Sequence, residues 1–172
     1  MGNLFRRIRK YHILLLCVTV VLILDQLTKL LVMRYIPFGT YNYPEPIPVI
    51  KGFFYLVHIG NTGSAWGMFE NFGLYLAIFA LVAITSIFLF RKMLMLHLLP
   101  MQIVFGLMIG GILGNFLDRI FIKHVVDFID IHLPFYRWPA FNVADSAICV
   151  GVIAYICITF WLDRKSKDAE KK

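Results

Sequence analysis

Four apolar stretches, each close to the length a bilayer demands, constrain this chain more than any other feature. A hydrocarbon core about 30 Å thick needs roughly 20 apolar residues in a helix. Residues of about 12–33, 72–90, 94–117 and 141–162 meet that requirement. The first is interrupted by Asp25 and Lys29, and the second carries no charge. The third has His97, Pro100 and Gln102 near its start, and the fourth contains one acid, Asp145. Composition agrees: only 16% of the 172 residues are charged, against about a quarter in a water-soluble domain. A soluble domain is therefore excluded. So is intrinsic disorder, which 16 Phe in a chain 60% hydrophobic contradict. The expected fold is membrane all-α: one domain, 1–172, of four transmembrane helices with a small extracytoplasmic β-rich element.

Arg6, Arg7, Arg9 and Lys10 ahead of an apolar run resemble a secretory signal. No small-x-small cleavage site follows, and the run continues into Asp25-Gln26-Leu27-Thr28-Lys29, so it reads as an uncleaved first span. Of the 17 Lys and Arg, 11 lie in the N-terminus, in the Arg91-Lys92 turn and in the tail after Leu162. In a protein with an even number of spans these belong to one side. The excess of basic residues marks that side as cytoplasmic, with both termini there. The net charge of +7 is then an orientation signal, the basic tail is a solvated anchor beside membrane lipids, and no nucleic-acid partner is expected.

Cys17, Cys149 and Cys157 all fall within spans. The last two would lie about 12 Å apart along one helix, too far for a disulfide. No Cys/His spacing resembles a zinc site, so neither metal nor cofactor is expected. Between the spans, residues 34–71 hold Pro37, Pro44, Pro46 and Pro48, then a β-branched and aromatic run from Val49 to Ile59 that reads as short strands. Asn61-Thr62-Gly63 reads as a turn. Residues 118–140 form a shorter extracytoplasmic loop.

Ionisable residues in or beside membrane spans are costly and hence functional candidates. Here they gather at one level. Asp25 and Lys29 lie toward the end of span one, and Asn115, Asp118 and Arg119 end span three. Asp127 follows, and Asn142 and Asp145 begin span four. Asp25 and Lys29, four apart, share a helix face and can pair; a structural ion pair is the plainer reading of them. Asn115 and Arg119 have the same spacing, and the guanidinium fork of Arg119 suits a carboxylate, a substrate carbonyl or a loop anchor. Gly106, Gly110 and Gly114 make a small-residue stripe for close helix packing. Asp127 and Asp145 each sit in an apolar setting. If they face each other they cannot both ionise cheaply, and such a pair can activate water and protonate a leaving nitrogen. Asn142, three residues before Asp145, is placed to orient it. Helix capping or pairing with lysine is the alternative for each aspartate.

Together these motifs resemble those of the bacterial lipoprotein signal peptidases, the type II signal peptidases. The resemblance is carried by Asp25-Gln26-Leu27-Thr28-Lys29, Asn61-Thr62-Gly63-Ser64-Ala65-Trp66, the run from Gly110 to Arg119, Val125-Val126-Asp127-Phe128 and the run from Phe141 to Ser146. The blocks occur in family order across nearly the whole chain. The resemblance implies an aspartyl endopeptidase of the inner membrane, cleaving diacylglyceryl-modified prolipoproteins before the lipidated cysteine. It implies catalytic roles for Asp127 and Asp145, with Asp25, Lys29, Asn61, Asn115, Arg119 and Asn142 around the site or its framework. It also implies inhibition by globomycin-like cyclic peptides, with the chain expected to act as a monomer. Trp66 and Ser64 depart from the family's usual Phe and Ala. The aromatic residues Phe53, Phe54 and Tyr55, with Trp66, are expected to clamp the lipid-bearing peptide. A small proton-coupled transporter is the rival reading, but it predicts midplane acids and repeated halves, and no repeat is visible.

Overall fold

The computed structural model describes residues 10–40, 45–63 and 72–170. Helix α1 spans His12–Tyr35, strands β1 and β2 span Ile47–Ile50 and Phe54–Asn61, and helix α2 spans Gly73–Leu89. Helix α3 (Leu99–Phe121), strands β3 (Val125–Leu133) and β4 (Tyr136–Arg137) and helix α4 (Val143–Glu170) follow among the described residues. Among the described residues three helices, α1, α3 and α4, are long and apolar enough to cross a membrane; α2, of 17 residues, is apolar but shorter. Leu16, Leu30, Phe79, Val82, Ile153 and Phe160 are among the exposed apolar side chains. A surface of this kind requires lipid or a partner.

Helix α3 is the most buried of the spanning helices and packs against the other three. Its small residues set the spacing on two sides. Gly106, Gly110 and Gly114 face α1, where a methyl group would strike Cys17, Val21 and the Asp25 carboxylate in turn. Gly111 faces α4, where a methyl group would strike the Ala144 carbonyl. Close backbone approach thus draws polar residues of α1, α3 and α4 to one point.

Several boundaries differ from the sequence expectation. The third apolar run becomes helical only at Leu99, with Pro100 in its first turn, because proline tolerates that position and no later one. The preceding residues fold as turns that bury Leu96. Asp118 and Arg119 are helical, and the expected loop 118–140 contributes two strands. The tail, expected as a solvated anchor, continues α4 to Glu170, with Lys167 donating to Asp163 at 2.7 Å one turn back.

The four strands form one antiparallel sheet in the order β1-β2-β3-β4. The sheet therefore joins the two segments that the sequence separates. Asn61 pairs with Val125, Gly60 with Val126 and Ile59 with Asp127, and a register shift between Leu56 and Ile59 interrupts the ladder. The sheet docks on α1 through Val126 and Phe128, which pack with Val32 and Ile36, and through buried His58. Its ring Nδ1 lies 2.8 Å from the Ile36 carbonyl just past the helix end, and its backbone N–H donates to Thr40 Oγ1 at 2.7 Å. Both groups would otherwise be unpaired in an apolar setting.

Candidate active site

The site is built upward from a buried lysine. Lys29, 1% exposed, lies 2.8 Å from Asp25 Oδ2, 2.8 Å from Asp118 Oδ2 and 2.9 Å from Asn115 Oδ1. One ammonium has three protons to donate, and each finds an oxygen. Gln26 closes the same cluster, donating to Asp118 Oδ1 at 3.0 Å and to Asp25 Oδ2 at 3.2 Å. The remaining Asp25 oxygen accepts the Ala144 backbone N–H at 2.9 Å, so α1 supplies an anion to the N-terminus of α4. Asp118 likewise accepts the Val126 N–H at 3.2 Å, fixing the start of β3.

Two asparagines carry this framework to the aspartates. Asn115 Nδ2 donates to Asp145 Oδ1 at 2.7 Å, while its Oδ1 accepts from Lys29 and from Asn142 Nδ2. Asn142 caps α4: its Oδ1 accepts the Asp145 N–H at 3.0 Å, and its own N–H donates to Asp145 Oδ2 at 3.3 Å. This reciprocal arrangement follows the logic of a capping box. The Asn142 amide also donates to Asp127 Oδ1 at 2.8 Å. Asp127 Oδ2 receives Asn61 Nδ2 at 2.9 Å, and Asn61 is oriented by accepting the Gly63 N–H in the expected turn. Every oxygen of both carboxyl groups is thus met by an amide donor.

Asp127 is buried, and burial first, then the Asp145 carboxylate, push its pKa up to about 7. The amides of Asn61 and Asn142 and the Lys29 charge oppose that rise without cancelling it. A carboxyl held this way keeps a proton near neutrality and can donate it.

Both carboxyl groups line a cavity of about 500 Å³. Asn61, Asn115 and Arg119 share its polar side, and Val125, Trp138, Pro139, Phe141 and Ile148 supply apolar wall. Arg119 donates to the Asn115 carbonyl at 3.2 Å and the Gly63 carbonyl at 3.0 Å, and its buried Nε has no hydrogen-bond partner among the described residues.

The structure thus brings together Asn61, Asn115, Arg119, Asp127, Asn142 and Asp145, with Asp25 and Lys29 a layer beneath. Gln26 and Asp118 belong to the framework without being among the expected site residues. Adjacency to Asp25 was the signal for the first, and i,i+3 spacing from Asn115 for the second. Of the residues expected to clamp the peptide, the described ones lie away from the cavity wall. Phe54 and Tyr55 pair with Ile131 and Asp130 at the far end of β2 from Asn61, and neither they nor Phe53 line the cavity. Trp138 and Phe141 line it instead, and Trp66 lies outside the described residues.

The fold is shared with solved membrane enzymes. A bacterial membrane enzyme determined by the in meso method at 2.3 Å superposes with a TM-score of 0.78 and 32% identity, covering 90% of each chain. A second, determined at 1.9 Å, gives 0.70 and 30%, covering 85% of this chain and 91% of its own. A fold shared at 30% identity or more defines the class, a membrane enzyme.

The family model for signal peptidase (SPase) II matches residues 17–161. The lipoprotein signal peptidase of Geobacillus kaustophilus is 42% identical over 151 residues, 87% of this chain and 94% of its own. That of Anoxybacillus flavithermus is 38% identical over 164 residues, 95% of this chain and 92% of its own. The chain belongs to the signal peptidase II family.

Proposed function

We propose that this protein is an endopeptidase that removes signal peptides from diacylglyceryl-modified prolipoproteins, cutting before the lipidated cysteine, with Asp127 and Asp145 as its catalytic pair. The observation that carries the reading is the amide-bracketed pair of aspartates opening on one cavity. Its apolar wall suits a substrate that arrives from the bilayer.

The chemistry follows from a single shared proton. The ionised carboxylate takes a proton from water as the water oxygen attacks the scissile carbonyl carbon. The protonated carboxyl gives its proton to the carbonyl oxygen, producing a tetrahedral gem-diol. Return of a proton to the cysteine nitrogen then lets the C–N bond break, leaving a new carboxyl on the signal peptide and a free amine on the cysteine. Proton count is restored over the cycle. Asn115, Asn61 and Asn142 hold both carboxyls in place, and Arg119, tied to the Asn115 and Gly63 carbonyls, keeps a cation on the cavity wall. The buried Lys29 cluster is too enclosed to touch substrate and acts as framework.

Cleavage of a purified prolipoprotein tests the reading. The diacylglyceryl-modified precursor should yield a mature fragment beginning at the lipidated cysteine, and a globomycin-like cyclic peptide should stop it. Equal cleavage of the unmodified precursor would remove lipid recognition from the account.

The topology is part of the proposal. Helix α2 serves as a fourth span, both termini face the cytoplasm of a bacterial inner membrane, and the sheet and cavity lie toward the extracytoplasmic face. The distribution of basic residues supports this orientation. A fluorescent protein that matures only in the cytoplasm should be bright when fused to either terminus; darkness at one end would mean an odd number of crossings. Membership of the signal peptidase II family lends the transporter reading no support.

A further inference from the structure

The end of the bundle away from the aspartates holds a second cavity, of about 570 Å³, between the start of α1 and the end of α2. Lys10 precedes Asp25 by about four helical turns, so the two cavities stand on the order of 20 Å apart along α1. Three cations line it, Lys10, Arg91 and Lys92, together with apolar Tyr11, Leu14, Leu15 and Phe88. No carboxylate lines it among the described residues.

The cations stand on a fixed frame. Buried Gln102 of α3 donates from Nε2 to the Lys10 carbonyl at 3.0 Å and accepts the Leu14 N–H at 3.4 Å, tying down the start of α1. On the other side, the Leu96 N–H donates to the Arg91 carbonyl at 3.0 Å and the Met95 N–H to the Lys92 carbonyl at 3.1 Å. Leu96 itself is buried in the core, which locks that turn. One guanidinium nitrogen of Arg91 is spent on the Phe88 carbonyl at 2.8 Å. The Lys10 ammonium lies 5.7 Å from the Tyr11 ring centroid.

We propose that this cavity binds an anionic phospholipid, with Lys10, Arg91 and Lys92 on its phosphate and an acyl chain along Tyr11, Leu15 and Phe88. Charge complementarity singles out this occupant. A zwitterionic lipid brings its own cation beside its phosphate and would leave three neighbouring cations without a net counter-charge. Free phosphate would meet the cations but make no contact with the apolar wall, where Leu15 and Phe88 are each nearly half exposed. An amphiphile with an anionic head satisfies both halves at once, in the leaflet where anionic lipid meets basic helix ends. The inference rests on membrane insertion but not on the peptidase chemistry.

Native mass spectrometry of the full chain in neutral detergent tests it, titrating phosphatidylglycerol, phosphatidylcholine and inorganic phosphate separately. Phosphatidylglycerol should be retained preferentially. Arg91→Gln and Lys92→Gln should each weaken that retention about fivefold, the worth of one cation near anionic lipid. Leu15→Trp, which fills the groove and keeps every charge, should weaken it as well. Lys51→Gln, exposed in the turn between β1 and β2, should leave it unchanged. Each variant should melt as the parent does without lipid; Lys10→Gln replaces any that does not. Equal retention of phosphatidylcholine, tight binding of phosphate alone, an unaffected Leu15→Trp variant, or an equal loss from Lys51→Gln would each overturn the site. Prolipoprotein cleavage by the same samples reports on the peptidase reading independently.

Discussion

Asp127 has neighbours that pull its proton in opposite directions. Burial and the Asp145 carboxylate favour the protonated acid, the amides of Asn61 and Asn142 and the Lys29 charge favour the anion, and the balance falls at about 7. The consequence for stability has a definite sign. An unfolded chain releases this proton near the ordinary value of 3.8, while the folded protein keeps it until about 7. Folding thus holds the extra proton across that window, so Asp127's contribution is fully present below about pH 4 and lost as pH rises through 7. The ceiling on that loss is about 4 kcal/mol. Asp127→Asn has no proton to lose. Its detergent melting temperature relative to the parent should therefore climb between pH 4 and 7. A difference that stays flat would mean that Asp127 titrates normally. Lys29 shows the opposite design. Its charge is matched by two buried carboxylates at 2.8 Å, and such groups are costly to leave unpaired.

At the scale of elements, the site depends on how closely α3 and α4 approach. Gly111 lies against the Ala144 carbonyl, and Asn115, one turn further along α3, holds Asp145 on α4. Gly111→Ala should wedge the two helices apart and stretch that hydrogen bond. A misplacement of about 1 Å in a catalytic group can cost on the order of 10²-fold in rate. The expectation is a fall of that size in cleavage, with α-helical circular dichroism retained; unchanged turnover would mean the helix spacing is not critical. What the sequence made legible follows the same division. Spacings within one helix were readable, as with Asp25 and Lys29 or Asn142 and Asp145, because 3.6 residues per turn dictates shared faces. Contacts between elements were not. Nothing local announces that Asn61 meets Asp127, which depends on a sheet register with an irregularity between Leu56 and Ile59. Nor does anything local announce that Asp25 caps a helix 119 residues further along the chain. The strands within 118–140 were obscured because Val125–Leu133 mixes apolar residues with Asp127, Asp130 and His132. Buried Asp130 is paired directly with Arg137 on the next strand, which donates to both its oxygens, and meets His132 at 2.9 Å. The aromatic wall of Trp138 and Phe141 was hidden for a similar reason, since nothing local shows which end of the sheet faces the acids.

At the scale of the whole molecule, apolar helices surround one polar centre where α1, α3, α4 and the sheet meet. Lys29 and the two asparagines link all four, and the aspartates stand at the boundary between that centre and an open cavity. Membership of the signal peptidase II family and a fold shared with solved membrane enzymes agree with this plan. The central claim is that the two aspartates act as a pair and that the rest of the polar centre serves them. The most direct measurement is the single-turnover cleavage rate of a diacylglyceryl-modified prolipoprotein by the parent, Asp127→Asn and Asp145→Asn, each shown to be folded by its melting transition. The account predicts that both substitutions abolish cleavage while substrate binding persists. A folded variant of either kind that still cleaves at a substantial fraction of the parent rate would contradict it.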